Sequence, residues 1–518
     1  MIFLKLSFVS LLCFVQSHAS SQTNGNFSFA SYFQEDMVLQ MKPHRAQLWG
    51  YGTVGAVVNI SLNQDVYSTR VKAGQDGRGV WLVVLRPHDA GGPVTFQAVQ
   101  DNHGLLSWIL LKNVLFGDIW ICGGQSNMRF TMSMVTNATK EIAAASNYTD
   151  IRVMTPAKVE SDSPLYDLKS IEEGWSIPSQ DSLGAKAWSY FSAVCWLYGR
   201  YIYDEIKVPI GLISPNWGGT PVETWSSHRA LSKCGLQDRS TSFRFNNKVP
   251  TSNSVLWNAM IHPLLNMTVK GAIWYQGEAN TYYHKDVYSC SFPAMIEDWR
   301  KSWHQGTMGH SDPQFPFGFV QLANNKSFDD GSFPVIRWHQ TADYGYVPNP
   351  KMPNTFMAVA MDLPDRDSPY GAVHPRDKQD VARRLSYGGL NIAYKRPIDP
   401  QGPIPSSGVR SADGRVVLTY PNHQHLIVSE QGNFQVCCNF SKCDHQKASP
   451  DPDWLWAPIT SHTHRSVTLS AKVCVEKGGY ASVVRYAWSL TPCKFKQCSV
   501  YNHIGLPAPP YVITLGDI

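Results

Sequence analysis

The chain has 518 residues, a formal net charge of +5 and only 16% charged residues, while aromatic residues make up 12%. This composition excludes an intrinsically disordered, collagen-like or coiled-coil chain, and the even spread of basic residues argues against a nucleic-acid-binding protein. At about 150 residues per domain, the length predicts two to four domains.

The amino terminus has the pattern of a secretory signal peptide. Lys5 precedes an apolar run over residues 6–15, and Ser17-His18-Ala19 provides a small-x-small cleavage site. The run is shorter than the roughly 20 apolar residues that a membrane-spanning helix needs. We therefore expect cleavage after Ala19 and a lysosomal or secreted protein that does not insert into a membrane. Seven N-x-S/T sequons predict N-linked glycans, at Asn26, Asn59, Asn137, Asn147, Asn266, Asn325 and Asn439.

Both ends of the mature chain have the pattern of β domains. Short β-forming runs alternate with Gly, Pro, Asn and Asp turns over residues 28–110, and a similar pattern returns after residue 400. We expect an N-terminal β-sandwich-like domain over residues 20–112 and a C-terminal one over residues 398–518.

The middle of the chain, residues 113–397, has a different pattern. Five apolar runs predict strands, over residues 114–122, 208–214, 269–275, 315–321 and 356–361. Helix-like stretches accompany them over residues 191–206, 292–303 and 375–394. Strands that alternate with helices indicate a parallel α/β sheet that is covered by helices on both faces.

The cysteines divide by position. Six of them lie between residues 437 and 498 and predict a disulfide-rich C-terminal domain: Cys437, Cys438, Cys443, Cys474, Cys493 and Cys498. A zinc site is the alternative, but the usual C-x2-C knuckle is missing. Cys122 and Cys195 lie in apolar segments, where we expect buried free thiols.

A candidate nucleophile follows the first strand of the predicted sheet. Ser126 lies in the sequence GGQSNM, residues 123–128, whose two glycines let the backbone turn sharply. The turn places Ser126 at the carboxyl end of the strand, where ligands and catalytic groups gather in open parallel sheets. Capping of the next helix is the commoner role of such a serine and stays open as an alternative.

Two further motifs follow the second and third strands. Gly218 and Gly219 follow the second strand, where their backbone N–H groups can point at an anion. An ordinary loop is the alternative. Gln276 follows the third strand, and its side-chain amide can donate to a developing oxyanion. Glu278, two residues later, is an alternative candidate for a general base.

His374, after the fifth strand, is the candidate general base. Pro375 suits the first turn of a helix, so we expect His374 just outside that helix, facing Ser126. These groups supply what acyl transfer needs. Ser126 attacks an ester carbonyl, His374 takes the proton, and the Ser126 N–H, a glycine N–H and the Gln276 amide hold the oxyanion. The sequence has no phosphate-binding loop and no metal cluster at this site, so no cofactor is implied.

Three motifs carry a resemblance to a known family. GQSNM (124–128), WGGTP (217–221) and WYQGE (274–278) resemble motifs of the SGNH hydrolase superfamily, more narrowly of its carbohydrate O-acetylesterase branch. The likeness covers nearly the whole chain after the signal peptide. It implies a flavodoxin-like α/β domain and a serine esterase that removes O-acetyl groups from sialic acids or sialoglycans, particularly at the 9 position. It also implies Ser126 as nucleophile and His374 as base, with Gly218, Gly219 and Gln276 matching the family's second and third blocks.

The chain departs from the family pattern beside the histidine. Enzymes of the superfamily generally carry an aspartate three residues before the histidine, and related acetylesterases often carry it two residues before. Those positions are Gly371 and Ala372 here. Two alternatives follow for the group that orients His374. One is a backbone carbonyl, such as that of Ala372, and the other is an upstream acid, for which the candidates are Asp362, Asp365 and Asp367.

Three other functions fit parts of this pattern. The same chemistry serves an esterase that acts on another acetylated carbohydrate. A non-catalytic carbohydrate-binding protein of this fold accounts for the missing aspartate and the many tryptophans. A carboxylate-pair glycosidase uses Glu278 with an aspartate of residues 362–367, and requires carboxyl groups roughly 5–10 Å apart.

Overall fold

The structure is a computed structural model, which describes residues 27–74, 76–184, 186–236, 249–325, 331–429, 432–444, 446–447 and 451–517. The predicted signal peptide and the sequon at Asn26 lie outside the described residues. Among the residues that are described, no helix combines the length and the apolar character that crossing a bilayer requires.

The N-terminal strands fall into two sheets. The first has the order β1-β3-β7-β6, and in the second β4 pairs with β5 and β8 while β8 pairs with β9. β4 buries every second residue, as expected for a strand with one face on the core. The strands are β1 (Ser28–Phe29), β2 (Val38–Gln40), β3 (Gln47–Tyr51), β4 (Val57–Leu62), β5 (Asp65–Arg70), β6 (Lys72–Ala73), β7 (Gly79–Val84), β8 (Gly91–Asn102) and β9 (Leu105–Gly124).

Strand β9 joins the N-terminal region to the centre of the molecule. Its first half pairs with β8, and its last residues, from Asp118 onward, pair with strands of the central sheet. The predicted domain boundary at 112/113 therefore falls inside one continuous strand. The division of the chain into three domains stays a prediction.

The central sheet has the order β11-β10-β12-β9-β13-β14-β15, and its neighbours are parallel except for β11 and β10. Its further strands are β10 (Ile151–Pro156), β11 (Ile171–Ser176), β12 (Ile210–Ile213), β13 (Gly271–Tyr275), β14 (Phe317–Gln321) and β15 (Thr355–Val359). The five predicted parallel strands are confirmed, and they lie in the 2-1-3-4-5 order of flavodoxin-like sheets. β10 and β11, which the sequence analysis missed, extend the edge beside β12.

Helices cover both faces of this sheet. They are α1 (Ser126–Arg129), α2 (Ala138–Ala144), α3 (Gln180–Gly184), α4 (Ala193–Ile206), α5 (His228–Lys233), α6 (Tyr288–Gly306), α7 (Ser332–His339) and α8 (Lys378–Tyr394). On one face Trp120 of β9 packs against Tyr198 of α4 and hydrogen-bonds to Tyr394 of α8. On the other face Gly123 of β9 lies against Trp299 of α6. Because side chains alternate along a strand, these contacts place α4 and α8 opposite α6.

The three predicted helices are confirmed, but the last one begins later than expected. α8 begins at Lys378 behind Asp377, whose side chain accepts a hydrogen bond from the Asp380 N–H as an N-cap. Pro375 therefore lies in the loop before the helix and not in its first turn. His374 therefore lies in a loop, four residues before the first residue of α8.

The C-terminal region is built of short strands. They are β16 (Ser407–Arg410), β17 (Arg415–Thr419), β18 (Ile427–Val428), β19 (Phe434–Cys438), β20 (Trp454–Trp456), β21 (Ile459–His462), β22 (Ser466–Ser470), β23 (Ala481–Tyr486), β24 (Val500–Tyr501), β25 (Tyr511–Thr514) and β26 (Gly516–Asp517), with helix α9 (Lys472–Val475). The larger sheets have the orders β21-β22-β17-β16-β26 and β20-β19-β23-β25. The predicted local disulfide framework is confirmed, with pairs Cys437–Cys443, Cys438–Cys474 and Cys493–Cys498.

The expectation of free thiols at Cys122 and Cys195 was wrong. These cysteines form a disulfide between the end of β9 and the first turn of α4, with a Cα–Cα distance of 5.8 Å. That distance lies within the usual range for disulfides. The pairing spans 73 residues and depends on the packing of a helix against a strand, which the sequence pattern does not show. A second long-range disulfide, Cys234–Cys290, joins the end of α5 to α6.

Candidate active site

Ser126 and His374 meet at the carboxyl edge of the central sheet. β9 ends at Gly124, whose φ is +144° and where an added Cβ would lie only 2.2 Å from the Tyr275 carbonyl oxygen. Glycine is therefore required at this sharp turn, which leads directly into α1 and Ser126. His374 Nε2 lies 2.8 Å from Ser126 Oγ. Both residues are partly exposed, so a substrate can reach the pair.

A backbone carbonyl orients the imidazole ring. The Nδ1 atom of His374 lies 2.7 Å from the Tyr370 carbonyl oxygen. Because a carbonyl oxygen only accepts hydrogen bonds, Nδ1 carries the ring hydrogen and Nε2 presents its lone pair to the Ser126 hydroxyl. A turn at Gly371, whose φ is +88°, brings the Tyr370 carbonyl within hydrogen-bond distance of Nδ1 at the edge of the ring. The arrangement is that of a Ser–His dyad with carbonyl assistance.

The three candidate acids do not take this position. Asp362 is fully buried and forms a bidentate ion pair with Arg384, at 2.6 and 2.9 Å. Asp365 pairs in the same way with Arg376, at 2.6 and 2.9 Å. Asp367 is exposed. None of the three aspartates therefore orients His374, because Arg384 and Arg376 bind Asp362 and Asp365 and Asp367 is exposed. The carbonyl that contacts the ring belongs to Tyr370 and not to Ala372.

The electrostatic environment keeps His374 in its basic form. Burial lowers the pKa of His374 below its ordinary value, and the nearby positive charge of Lys378 lowers this pKa further. The hydrogen bond to the Tyr370 carbonyl acts in the opposite direction. A lowered pKa leaves the imidazole neutral at pH 7 and ready to accept a proton from Ser126.

The glycine loop after β12 lies beside the serine. Trp217 donates its backbone N–H to the Gly124 carbonyl at 3.0 Å, which fixes the loop to the end of β9. A Cβ added at Gly218 would come within 3.3 Å of the Ser126 Cβ, so Gly218 lies in contact with the nucleophile. Within the described ranges, the backbone N–H groups of Ser126 and Gly218 have no acceptor. Gly219 is exposed, with a φ of +78°.

Gln276 does not offer its amide to this site, contrary to the sequence-based expectation. Its Nε2 donates to the Thr220 carbonyl at 3.2 Å and to Asn280 Oδ1 at 2.7 Å, while Oε1 accepts from the Tyr288 hydroxyl. Both amide hydrogens are thus used inside the protein, and the side chain is fully buried. Gln276 supports the glycine loop through its hydrogen bond to the Thr220 carbonyl.

Glu278 also lies beneath the site and not in it. The side chain is 7% exposed, and its Oε1 accepts a hydrogen bond from Asn127 at 2.6 Å. Burial raises the pKa of Glu278. With Glu278 buried here and Asp362 paired with Arg384, the structure offers no support for the carboxylate-pair glycosidase.

The sequence analysis missed an aromatic wall beside His374. The Trp188 ring lies 5.1 Å from the His374 ring at an interplanar angle of 73°, and it also packs edge-on against Phe130 and Tyr370. Trp188 has a φ of +63°, an uncommon conformation for a bulky residue. It is partly exposed, so it borders the space above the dyad. A tryptophan in a loop has no sequence signature for this role.

Two family models match the chain. "Carbohydrate esterase, sialic acid-specific acetylesterase" matches residues 116–379, and "Sialate O-acetylesterase C-terminal domain" matches residues 406–515. The first match contains the motifs at Ser126, Gly218, Gln276 and His374.

Relatives resemble the chain over nearly its full length. The human sialate O-acetylesterase is 45% identical over 505 residues, which cover 95% of this chain and 93% of that protein. The mouse sialate O-acetylesterase is 42% identical and covers 97% of both chains. Among solved structures, a carbohydrate acetylesterase from Xanthomonas citri superposes with a TM-score of 0.76 at 25% identity, covering 94% of this chain and 99% of that one.

Proposed function

The chain belongs to the sialate O-acetylesterase family, and we propose that it performs the family's reaction with Ser126 as nucleophile and His374 as general base. It is a carboxylic ester hydrolase that removes O-acetyl groups from sialic acids. The observation that carries the proposed mechanism is the 2.8 Å contact between Ser126 Oγ and His374 Nε2.

The first half of the reaction acetylates the serine. Ser126 Oγ attacks the acetyl carbonyl carbon while His374 Nε2 takes the hydroxyl proton. The tetrahedral intermediate collapses when the bond between the carbonyl carbon and the sugar oxygen breaks. His374 then returns its proton to the departing sugar oxygen, and the acetyl group stays on Ser126. In the second half, water attacks the acetyl carbon while His374 takes its proton. The bond between that carbon and Ser126 Oγ then breaks, His374 returns the proton to Ser126 Oγ, and the acetyl group leaves as acetate after losing its own proton to solvent.

Backbone N–H groups stabilise the oxyanion in this mechanism. Gly218 lies in contact with Ser126, and the N–H groups of these two residues have no acceptor within the described ranges. Such donors lower the barrier most when they point at the charge that develops in the transition state. The Tyr370 carbonyl fixes the tautomer and orientation of His374, which are the main tasks of the acid in a triad.

We propose that the 9-O-acetyl ester is the preferred substrate and that the protein passes through the secretory pathway to a lysosomal or extracellular destination. Five disulfides fit an oxidising compartment. Of the sequons, Asn137, Asn147 and Asn439 are exposed, which suits glycosylation. Asn59, Asn266 and Asn325 are partly buried.

A substrate panel tests this function. Acetate release is measured with 9-O-acetyl sialic acid, 4-O-acetyl sialic acid and an acetylated xylose, with the Ser126→Ala protein as the blank. We expect the 9-O-acetyl ester to have the highest kcat/KM, by about tenfold or more over the acetylated xylose. A higher kcat/KM for the acetylated xylose would instead support an esterase for another carbohydrate, and release of acetate by the blank would contradict the mechanism.

A further inference from the structure

Beneath the dyad, three buried polar side chains connect the nucleophile turn to the His374 loop. Asn127 directly follows Ser126, and its Nδ2 donates to the Val373 carbonyl at 2.8 Å. The same Nδ2 donates to Glu278 Oε1 at 2.6 Å, and Asn127 Oδ1 accepts from Lys378 Nζ at 2.6 Å. Asn127 and Lys378 are at most 1% exposed, and Glu278 is 7% exposed.

The neighbours of Asn127 determine which way its amide points. The Val373 carbonyl only accepts hydrogen bonds, so it requires the nitrogen of the amide on its side. The protonated amine of Lys378 only donates and the ionised carboxylate of Glu278 only accepts, so in these forms the two side chains favour the same orientation. A flipped amide would place its oxygen against two acceptors and its nitrogen against a donor. The charged pair therefore selects the one amide orientation that holds Val373.

The contact with Val373 matters because His374 is the next residue. The Val373 carbonyl is fixed by Asn127, and the His374 ring is fixed by the Tyr370 carbonyl. Within the loop, the Ser368 hydroxyl donates to the His374 carbonyl and the His374 N–H donates to the Gly371 carbonyl, whereas the bond from Asn127 ties the loop to the residue after Ser126. We propose that Asn127 is a positioning residue that holds the His374 loop against the nucleophile turn, and that Lys378 and Glu278 set the orientation of its amide. This inference rests on the proposed function of Ser126 and His374.

Lys378 is fully buried, which fits its hydrogen bond to Asn127 and excludes the solvated position that most lysines have. Its Nζ lies 4.7 Å from the Phe130 ring centroid and 5.1 Å from that of Tyr275, both cation–π distances. Burial lowers the pKa of Lys378 to about 7, against the opposing charges of Glu278, Asp377 and Asp365. A buried lysine is costly to keep, which argues that its hydrogen bond to Asn127 has a purpose beyond stability.

The test compares two asparagines in the same kind of environment. Asn127→Asp keeps the shape of the side chain but removes the donor to Val373 and Glu278. Asn349→Asp is the matched control, because Asn349 is also buried and donates to two carbonyls, those of Thr341 and Tyr346, at 2.9 and 2.8 Å. We expect Asn127→Asp to lower kcat by about 10- to 100-fold with KM within about threefold, and Asn349→Asp to keep the wild-type kcat.

Equal losses of kcat in the two variants, or a wild-type kcat in a folded Asn127→Asp protein, would overturn the proposal. Lys378→Met is the second variant, because methionine approximates the length of lysine but carries neither its charge nor the donor to Asn127 Oδ1. Removal of the Lys378 charge favours protonation of His374, so the acid limb of the kcat/KM profile should move to higher pH, with a lower kcat. An unmoved acid limb would argue against the inference. If the wild-type protein released no acetate, this result would contradict the proposed function itself, and not only the positioning role of Asn127.

Discussion

The ends of β9 and β13 lie side by side at one edge of the sheet, yet their polar residues have different roles. After β9, Ser126 is partly exposed, and its hydroxyl faces His374 Nε2. After β13, Gln276 is fully buried, and each polar atom of its amide has a partner inside the protein. A polar residue at a strand end can act on a substrate only when its hydrogen bonds are not already made internally. A position at the sheet edge is thus not sufficient for a catalytic role.

The largest effect is expected at the end of β9. Ser126→Ala should lower kcat at least about 1000-fold, because no other hydroxyl replaces the nucleophile, while the free energy of unfolding changes by less than about 1 kcal/mol. The measurement is acetate release together with a denaturant titration.

Ser227→Ala provides the matched control for this substitution. Ser227 caps α5 by accepting the Ala230 N–H at 3.2 Å, whereas Ser126 is the first residue of α1 and the N-cap position there belongs to Gln125. Loss of this cap should cost about 1 kcal/mol of stability and leave kcat unchanged. If Ser126→Ala behaved like Ser227→Ala, Ser126 would be a structural serine and the contrast between the two strand ends would disappear.

A smaller effect on turnover is expected at the end of β13. Gln276→Met removes the hydrogen bonds that Gln276 makes to the Tyr288 hydroxyl and the Thr220 carbonyl, and leaves Asn280 Oδ1 with the Val222 N–H, so the free energy of unfolding should fall by about 2–4 kcal/mol. The kcat of the folded protein should fall less than tenfold, whereas loss of an oxyanion donor costs about 100- to 1000-fold.

Gln321→Met is the control for this substitution. Gln321 ends the neighbouring strand β14, is fully buried and donates to the Arg337 carbonyl at 3.0 Å. Its loss should also lower the melting temperature, without a change in kcat. A drop of 100-fold or more in kcat that is specific to Gln276→Met would restore this residue to the oxyanion hole.

The parts of the fold that the sequence predicted depend on local patterns. The five apolar runs of the parallel sheet could be predicted because burial on both faces leaves continuous hydrophobic segments, and the three helices because longer stretches separate or follow these runs. The proximity of Ser126 and His374 could be expected from the sequence because each follows a strand of this sheet. The strand β11 was missed because most of its residues are exposed or only partly buried at the edge of the sheet, where the apolar signal is weak.

The parts that the sequence did not predict depend on packing between distant segments. The Tyr370 carbonyl orients His374, but every residue has a carbonyl, so no side chain marks this one. The Cys122–Cys195 disulfide requires α4 to lie against β9. The amide of Gln276 has the right chemistry for an oxyanion, and only the positions of Thr220, Asn280 and Tyr288 reveal that it is already in use.

The central claim is that His374, oriented by a backbone carbonyl, activates Ser126. Labelling with a fluorophosphonate, followed by peptide mass spectrometry across pH, tests it most directly. We predict one labelled residue, Ser126, with an acid-limb midpoint below about 6.5, since burial lowers the pKa of His374, and labelling at least about 100-fold slower in His374→Ala. Labelling of another residue, or an equal rate in His374→Ala, would contradict the account.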